Sequence, residues 1–235
     1  LFPIIGQLLD GKYRYSGREY EMPKHGFARH SVFAIKEQSE DSMTFSLASS
    51  DETRKCYPFE FELLIKYSVS GHTLRCTSTV INKTDGEMYF SIGAHPGFNC
   101  RIGDAIEFEK GENLRTMRID SSSILMDETF PVELENGHTI RLTEHIFDKD
   151  ALILEGLNSE SLRLISSDRT VKFTFGKAPY LGIWAKPNAP YVCLEPWYGV
   201  NDSCDKKDSI AEKRGIERLE NGETFSFDWT AELEG

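Results

Sequence analysis

Long apolar runs are missing from this chain. The longest, at Leu1 to Ile5, Leu63 to Ile65 and Ala151 to Leu154, span only a few residues each, whereas a membrane-spanning helix needs about 20. No membrane partner is expected. Basic residues are also in short supply, with 27 Lys plus Arg against 38 Asp plus Glu and a net charge of -11, the wrong sign for a phosphate backbone. Nucleic acid is therefore not an expected partner. The five cysteines, Cys56, Cys76, Cys100, Cys193 and Cys204, are widely spaced and form no CxxC pair. This excludes a regular metal or disulfide framework and predicts free, mostly buried thiols in a reducing cytoplasmic setting. The absence of GxGxxG, P-loop, GxSxG and HExxH patterns removes nucleotide, serine-hydrolase and zinc-protease readings. Leu1 is not a methionine and no signal-peptide pattern follows it, so the natural chain is expected to extend further at its front.

What is present is period-2 patterning. With 235 residues, 39% hydrophobic and 28% charged, the chain has the material for a core and is expected to form one soluble domain over 1–235. From Phe59 to Val69 the odd positions are Phe, Phe, Leu, Ile, Tyr and Val, which predicts a half-buried strand. Ser70-Gly71 then turns the chain into a second strand over Leu74 to Ile81. Shorter strands are predicted at Met43 to Leu47, Leu162 to Ile165, Val171 to Phe175 and Phe225 to Trp229. Turn signals recur at Ser16-Gly17, Asp85-Gly86, Asn136-Gly137 and Asn221-Gly222. The one helical candidate, Lys206 to Leu219, carries Gly215 and is expected to give at most a turn or two. The pattern is that of an all-β antiparallel sandwich.

Three segments depart from the strand background. Pro23 to Arg29 places His25, Gly26 and Arg29 together. Gly93 to Asn99 frames His95 with glycines and a proline. Val192 to Trp197 interrupts an apolar strand with Glu195. His25 reads equally as a surface turn residue, and Arg29 as a solvated ion-pair partner. His95 in so tight a loop leans towards function. Glu195 is the most informative, because an acid behind Val-Cys-Leu and ahead of Pro-Trp is set for a raised pKa. An edge-strand acid facing water is the alternative. His30, His72, His138 and His145 read as surface residues.

Together, HGFAR at His25 to Arg29, SIGAHPGFN at Ser91 to Asn99 and CLEPWYG at Cys193 to Gly199 resemble the aldose 1-epimerase (galactose mutarotase-like) family, in its LacX-like branch. The opening LFPIIG and the FDKDALIL stretch extend the likeness along the chain. The resemblance implies a large galactose mutarotase-like supersandwich lacking its N-terminal strands, whose open edge could pair with a second copy as a homodimer. It implies Glu195 as the base that takes the anomeric hydroxyl proton and His95 as the acid that protonates the ring oxygen. His25, Arg29 and Asp150 would bind the sugar, with Asp148 as the other candidate acid. Relatives commonly carry arginine where Gln7 stands, and a neutral amide cannot supply a fixed charge.

Such chemistry, opening and reclosing a hemiacetal, needs no cofactor. It needs two positioned groups, one deprotonated and one protonated, each contributing about 10² to 10⁴, and the reference pKa values of a carboxylate and an imidazole give that division. Trp197 is the better candidate for stacking on the sugar, with Trp184 read equally as core. The competing readings are a hexose 6-phosphate 1-epimerase, which needs a basic pocket, and a non-catalytic carbohydrate-binding sandwich. A glycoside hydrolase would need a second carboxylate, for which only Asp148 or Asp150 is available.

Overall fold

The structure, a computed structural model, describes residues 1–206 and 209–234. Most strands among these residues fall into two large antiparallel sheets. The patterned segment at Phe59 becomes the strand Phe61–Ser70, which pairs along its whole length with Thr73–Asn82 around Gly71 and His72. These two lie within a nine-stranded sheet. Its order is Thr139–Arg141, Ala105–Phe108, Ser161–Ile165, Thr170–Thr174, Thr224–Glu234, Thr73–Asn82, Phe61–Ser70, Ser42–Ala48 and Ala34–Gln38.

The second sheet runs Leu125–Pro131, Arg115–Ile119, Leu152–Glu155, Tyr180–Trp184, Tyr191–Tyr198 and Ile92–Gly93, with Gly97–Asn99 also pairing to Tyr191–Tyr198. Between the sheets lies a core that takes Phe61, Leu63, Val80, Phe173 and Phe227 from one and Leu152, Leu154, Leu181, Ile183, Val192 and Leu194 from the other. Fully burying each such side chain contributes about 1.5–3 kcal/mol. Side chains alternate across a strand, so Cys193, Glu195 and Trp197 point to the face opposite Val192 and Leu194. On that outer face a second, smaller cluster of Ile5, Met117, Leu125, Ile153, Tyr180, Trp197 and Val200 packs.

The apolar face of Phe61–Ser70 outruns the core. Phe61 and Leu63 are buried, whereas Tyr67 and Val69 are 40% and 53% exposed. The outermost strand, Ala34–Gln38, is exposed throughout and carries a register shift between Ile35 and Glu37. Its Lys36 is paired to Glu62, and an irregular, charged edge of this kind discourages further strand pairing.

One local feature differs from the sequence expectation, and one meets it. Asp51–Cys56 is a six-residue α-helix; it has no apolar periodicity to betray it, and is set by a capping box in which Ser50 Oγ accepts from Thr53 N and Thr53 Oγ1 accepts from Ser50 N. The candidate helix at Lys206 to Leu219 reduces to a 3₁₀ turn at Ile210–Glu212 and a short strand at Glu217–Leu219; its Lys207 and Asp208 lie outside the described residues. No helix among the described residues is long and apolar enough to cross a membrane.

The opening residues stitch two of the three sequence segments together. The carbonyls of Leu1 and Pro3 accept from Gly93 N and Ser91 N, while those of Phe2 and Gly6 accept from Ala28 N and His25 N. Phe2 anchors this segment in an aromatic cluster with Phe27, Tyr57, Phe61 and Phe90. Gly26, at φ +73°, is required here, since a Cβ would come within 2.2 Å of the Phe2 carbonyl oxygen.

Candidate functional site

The register around Tyr191–Tyr198 builds the site. Cys193 pairs with Gly97 and Trp197 with Gly93, so His95, midway between the two glycines, stands beside Glu195. Backbone bonds from Ala94 N to the Pro196 carbonyl and from Leu194 N to the Pro96 carbonyl hold it there. The result is a contact of 3.1 Å between His95 Nε2 and Glu195 Oε1. The Glu195 side chain is 3% exposed and that of His95 36%, so the carboxyl is walled in and the imidazole forms its open side.

Trp197 fixes the other carboxyl oxygen: its Nε1 donates to Glu195 Oε2 at 3.2 Å. The indole itself is buried, pressed over Gly182 and Gly93, where an added Cβ would in each case approach the ring to 2.6 Å. A ring so enclosed offers no free face for stacking. Trp184 is the aromatic beside the open side of the pair, edge-on to His95 with ring centroids 6.2 Å apart, and it is only half-buried.

Burial pushes the Glu195 carboxyl up to about 8, against the smaller downward pull of the Trp197 N–H. Burial also holds His95 below its ordinary value, with the Arg29 charge acting in the same direction. At neutral pH the proton of the pair therefore rests on the carboxyl. This reverses the division expected from reference pKa values, because those values describe groups in water and a buried group favours its neutral form.

His25 adopts a left-handed backbone with φ 64°. Its Nδ1 accepts from Gly6 N at 3.1 Å, which leaves the proton of the neutral ring on Nε2. The ring is kept neutral because burial lowers its pKa to about 3, with Lys24 and then His95 adding to the effect. Arg29 is exposed, donates to His30 Nε2 at 3.1 Å, and lines with His95 a cavity of about 560 Å³ floored by Ile65, Leu74, Cys76 and Trp229. Glu195, Trp197, His25 and Asp150 are not in that lining.

Asp150, at φ 66°, accepts from its neighbour Ala151 N. Its charge adds slightly to the upward shift of Glu195 and acts on Arg118. Asp148 is turned to His145, 2.9 Å away on the surface. Gln7 donates to the carbonyl of Leu8. The sequence reading set no role for Cys193, but its Sγ, a ring nitrogen of His95 and a carboxylate oxygen of Glu195 lie within 4.8 Å of one another. The i, i+2 spacing of Cys193 and Glu195 on one strand was the available signal; the arrival of His95 beside them is a long-range pairing.

A family model described as aldose 1-epimerase matches residues 5–228. The chain belongs to the aldose 1-epimerase family. As a member it is an isomerase, and its sandwich is galactose mutarotase-like. Protein LacX, plasmid, of Lactococcus lactis subsp. lactis is 31% identical over 241 residues, covering 93% of this chain and 79% of that protein. Among solved structures, a galactose mutarotase related enzyme from Lactobacillus acidophilus is 30% identical with a TM-score of 0.92, covering 100% of this chain and 82% of the other. A galactose mutarotase-like protein from Lactobacillus casei ATCC 334 is 26% identical with a TM-score of 0.91, covering 99% and 83%.

Proposed function

We propose that this epimerase, acting as a single domain, interconverts the α and β anomers of an aldohexose. Glu195 takes the proton of the C1 hydroxyl and His95 delivers one to the ring oxygen. The 3.1 Å contact between His95 Nε2 and the buried Glu195 Oε1 is the observation that supports this most directly. Opening the hemiacetal removes a proton at one oxygen and adds one at the other. Closure after rotation about the C1 to C2 bond runs the two transfers backwards.

The resting pair already holds the one proton the cycle needs. Moving it along the His95–Glu195 contact turns acid and imidazole into carboxylate and imidazolium without exchange with solvent. A sugar hydroxyl donating to the carboxyl oxygen favours the ionised form, as does the Trp197 N–H on the other oxygen. His25, with Nε2–H free to donate, and Arg29 are assigned to sugar oxygens, and Asp150 to sugar hydroxyls. Trp184, edge-on to His95, is assigned to lie against the pyranose, while Trp197 holds the carboxyl.

Polarimetry or exchange NMR on α-D-glucose and α-D-galactose tests the reading, with glucose 6-phosphate as a third substrate to separate free from phosphorylated sugars. Glu195→Gln and His95→Asn are each expected to lose about 10² to 10⁴ in rate with unchanged melting behaviour. Wild-type exchange rates in either variant would refute the assignment.

A further inference from the structure

Cys193 takes no part in the proton transfers, yet the fold buries it beside the pair, its Sγ within 4.8 Å of a ring nitrogen of His95 and a carboxylate oxygen of Glu195. It lies two positions from Glu195 on one strand and so shares its face. Across one side it pairs with Gly97, an exposed residue where even an added Cβ would only reach ordinary contact, 3.6 Å, with Sγ.

The three donors suit a tetrahedral ion. Bonds of about 2.0–2.3 Å to nitrogen, oxygen and sulfur place neighbouring donors about 3.3–3.8 Å apart. Here His95 Nε2 and Glu195 Oε1 are 3.1 Å apart, and Cys193 Sγ lies within 4.8 Å of a ring nitrogen of His95 and a carboxylate oxygen of Glu195, so side-chain adjustment on the order of 1 Å closes the set. His95, the least enclosed of the three, is the one free to move. Trp197 already occupies Glu195 Oε2, leaving Oε1 for the ion and orienting the carboxylate as an outer-shell partner does. One thiolate, one carboxylate and one neutral imidazole balance a divalent charge, and of the three His95 is the one exposed to solvent.

We propose that His95, Cys193 and Glu195 form a binding site for a soft divalent cation, zinc or cadmium, which occupies the acid/base pair and reversibly blocks it. A thiolate-containing set selects these ions over magnesium or calcium, which take oxygen ligands. On binding, the protons of the Cys193 thiol and the Glu195 carboxyl pass to solvent and the two freed anions coordinate the ion. The binding is independent of the epimerase reading; only the blocking of turnover rests on it.

The test uses the purified chain, freed of metal with a chelator and kept reduced with a phosphine. Cadmium is titrated while thiolate-to-metal ultraviolet absorption is followed, and zinc by calorimetry. One equivalent is expected to bind. Cys193→Ser is expected to lose the absorption band, to weaken zinc by more than about 10-fold, the usual cost of losing even an outer-shell partner, and to retain basal epimerase turnover that zinc no longer suppresses. Glu195→Gln is expected to weaken zinc as well, which covers the case of a Cys193 variant that fails to fold. A missing band, a band that survives Cys193→Ser, or one lost instead in Cys204→Ser, the exposed thiol, would overturn the site. Cadmium binding without sugar turnover would leave the site standing and remove the proposed function; turnover that continues with zinc bound would overturn the blocking, and turnover with no metal bound at all would overturn the site and leave the proposed function standing.

Discussion

Gly182 lies directly opposite Glu195 in the strand pair, and the indole of Trp197 rests on it. A side chain there would push the ring off its seat, and with it the N–H that holds Glu195 Oε2. Gly182→Ala is expected to cost about 1–3 kcal/mol, as overpacking does, and to slow anomer exchange. Urea denaturation followed by tryptophan fluorescence, together with polarimetry, measures both effects.

On the proposed mechanism, the proton shared by His95 and Glu195 sets the pH range of turnover. The active form of the pair holds one proton, which leaves as pH rises through the Glu195 value of about 8. With chelator present, the rate is expected to fall on the alkaline side near that pH. The acid limb, where a second proton adds to His95, is expected below the usual imidazole range, since His95 is lowered.

Trp197→Phe removes the N–H that draws the Glu195 pKa down. The alkaline limb is therefore expected to move to higher pH, alongside a loss of rate. A limb that stayed in place would show that the indole does not tune the carboxyl.

How much of this was legible beforehand differs between the strands and the site. The alternation at Phe59 to Val69 named the strand Phe61–Ser70 because a half-buried sheet imposes period 2. The three segments around His25, His95 and Glu195 stood out because glycine, proline and a charged group broke that period. The adjacency of His95 and Glu195 was not legible, since it arises from the pairing of Cys193 with Gly97 and Trp197 with Gly93. Nor was the proton's resting place, which depends on burial. Trp197 looked like a sugar platform by its nearness to Glu195 in sequence. Strand alternation carries it to the acid's face, but packing over Gly182 and Gly93 encloses it. The Asp51–Cys56 helix was invisible because it buries nothing.

His25 should make the protein sensitive to acid. Its folded-state pKa of about 3 lies below the ordinary 6.5, so its contribution to stability is complete above pH 6.5 and is lost as pH falls from 6.5 towards 3. Over that window the unfolded chain binds the extra proton. His25→Asn, which tolerates the left-handed backbone and does not titrate, is expected to flatten the dependence of melting temperature on pH between 6.5 and 4.

Lys213 and Asp202 form a buried ion pair at 2.8 Å. Lys213 also donates to the Val200 carbonyl, and Asp202 accepts from Leu9 N. Removing Lys213 leaves buried Asp202 only the longer contact with Lys206, at 3.7 Å, and the Leu9 N–H, so Lys213→Met is expected to cost about 3 kcal/mol, the lower end of the range for a broken buried pair, read as a lower urea midpoint.

Because Leu1 to Gly6 is bonded on one flank to the His25 loop and on the other to the approach to His95, the two imidazoles share a common mooring. Loosening that strap would set both adrift at once while the large sheets stayed folded. The enzyme should accordingly have a temperature range in which it is intact by circular dichroism and already silent towards sugar.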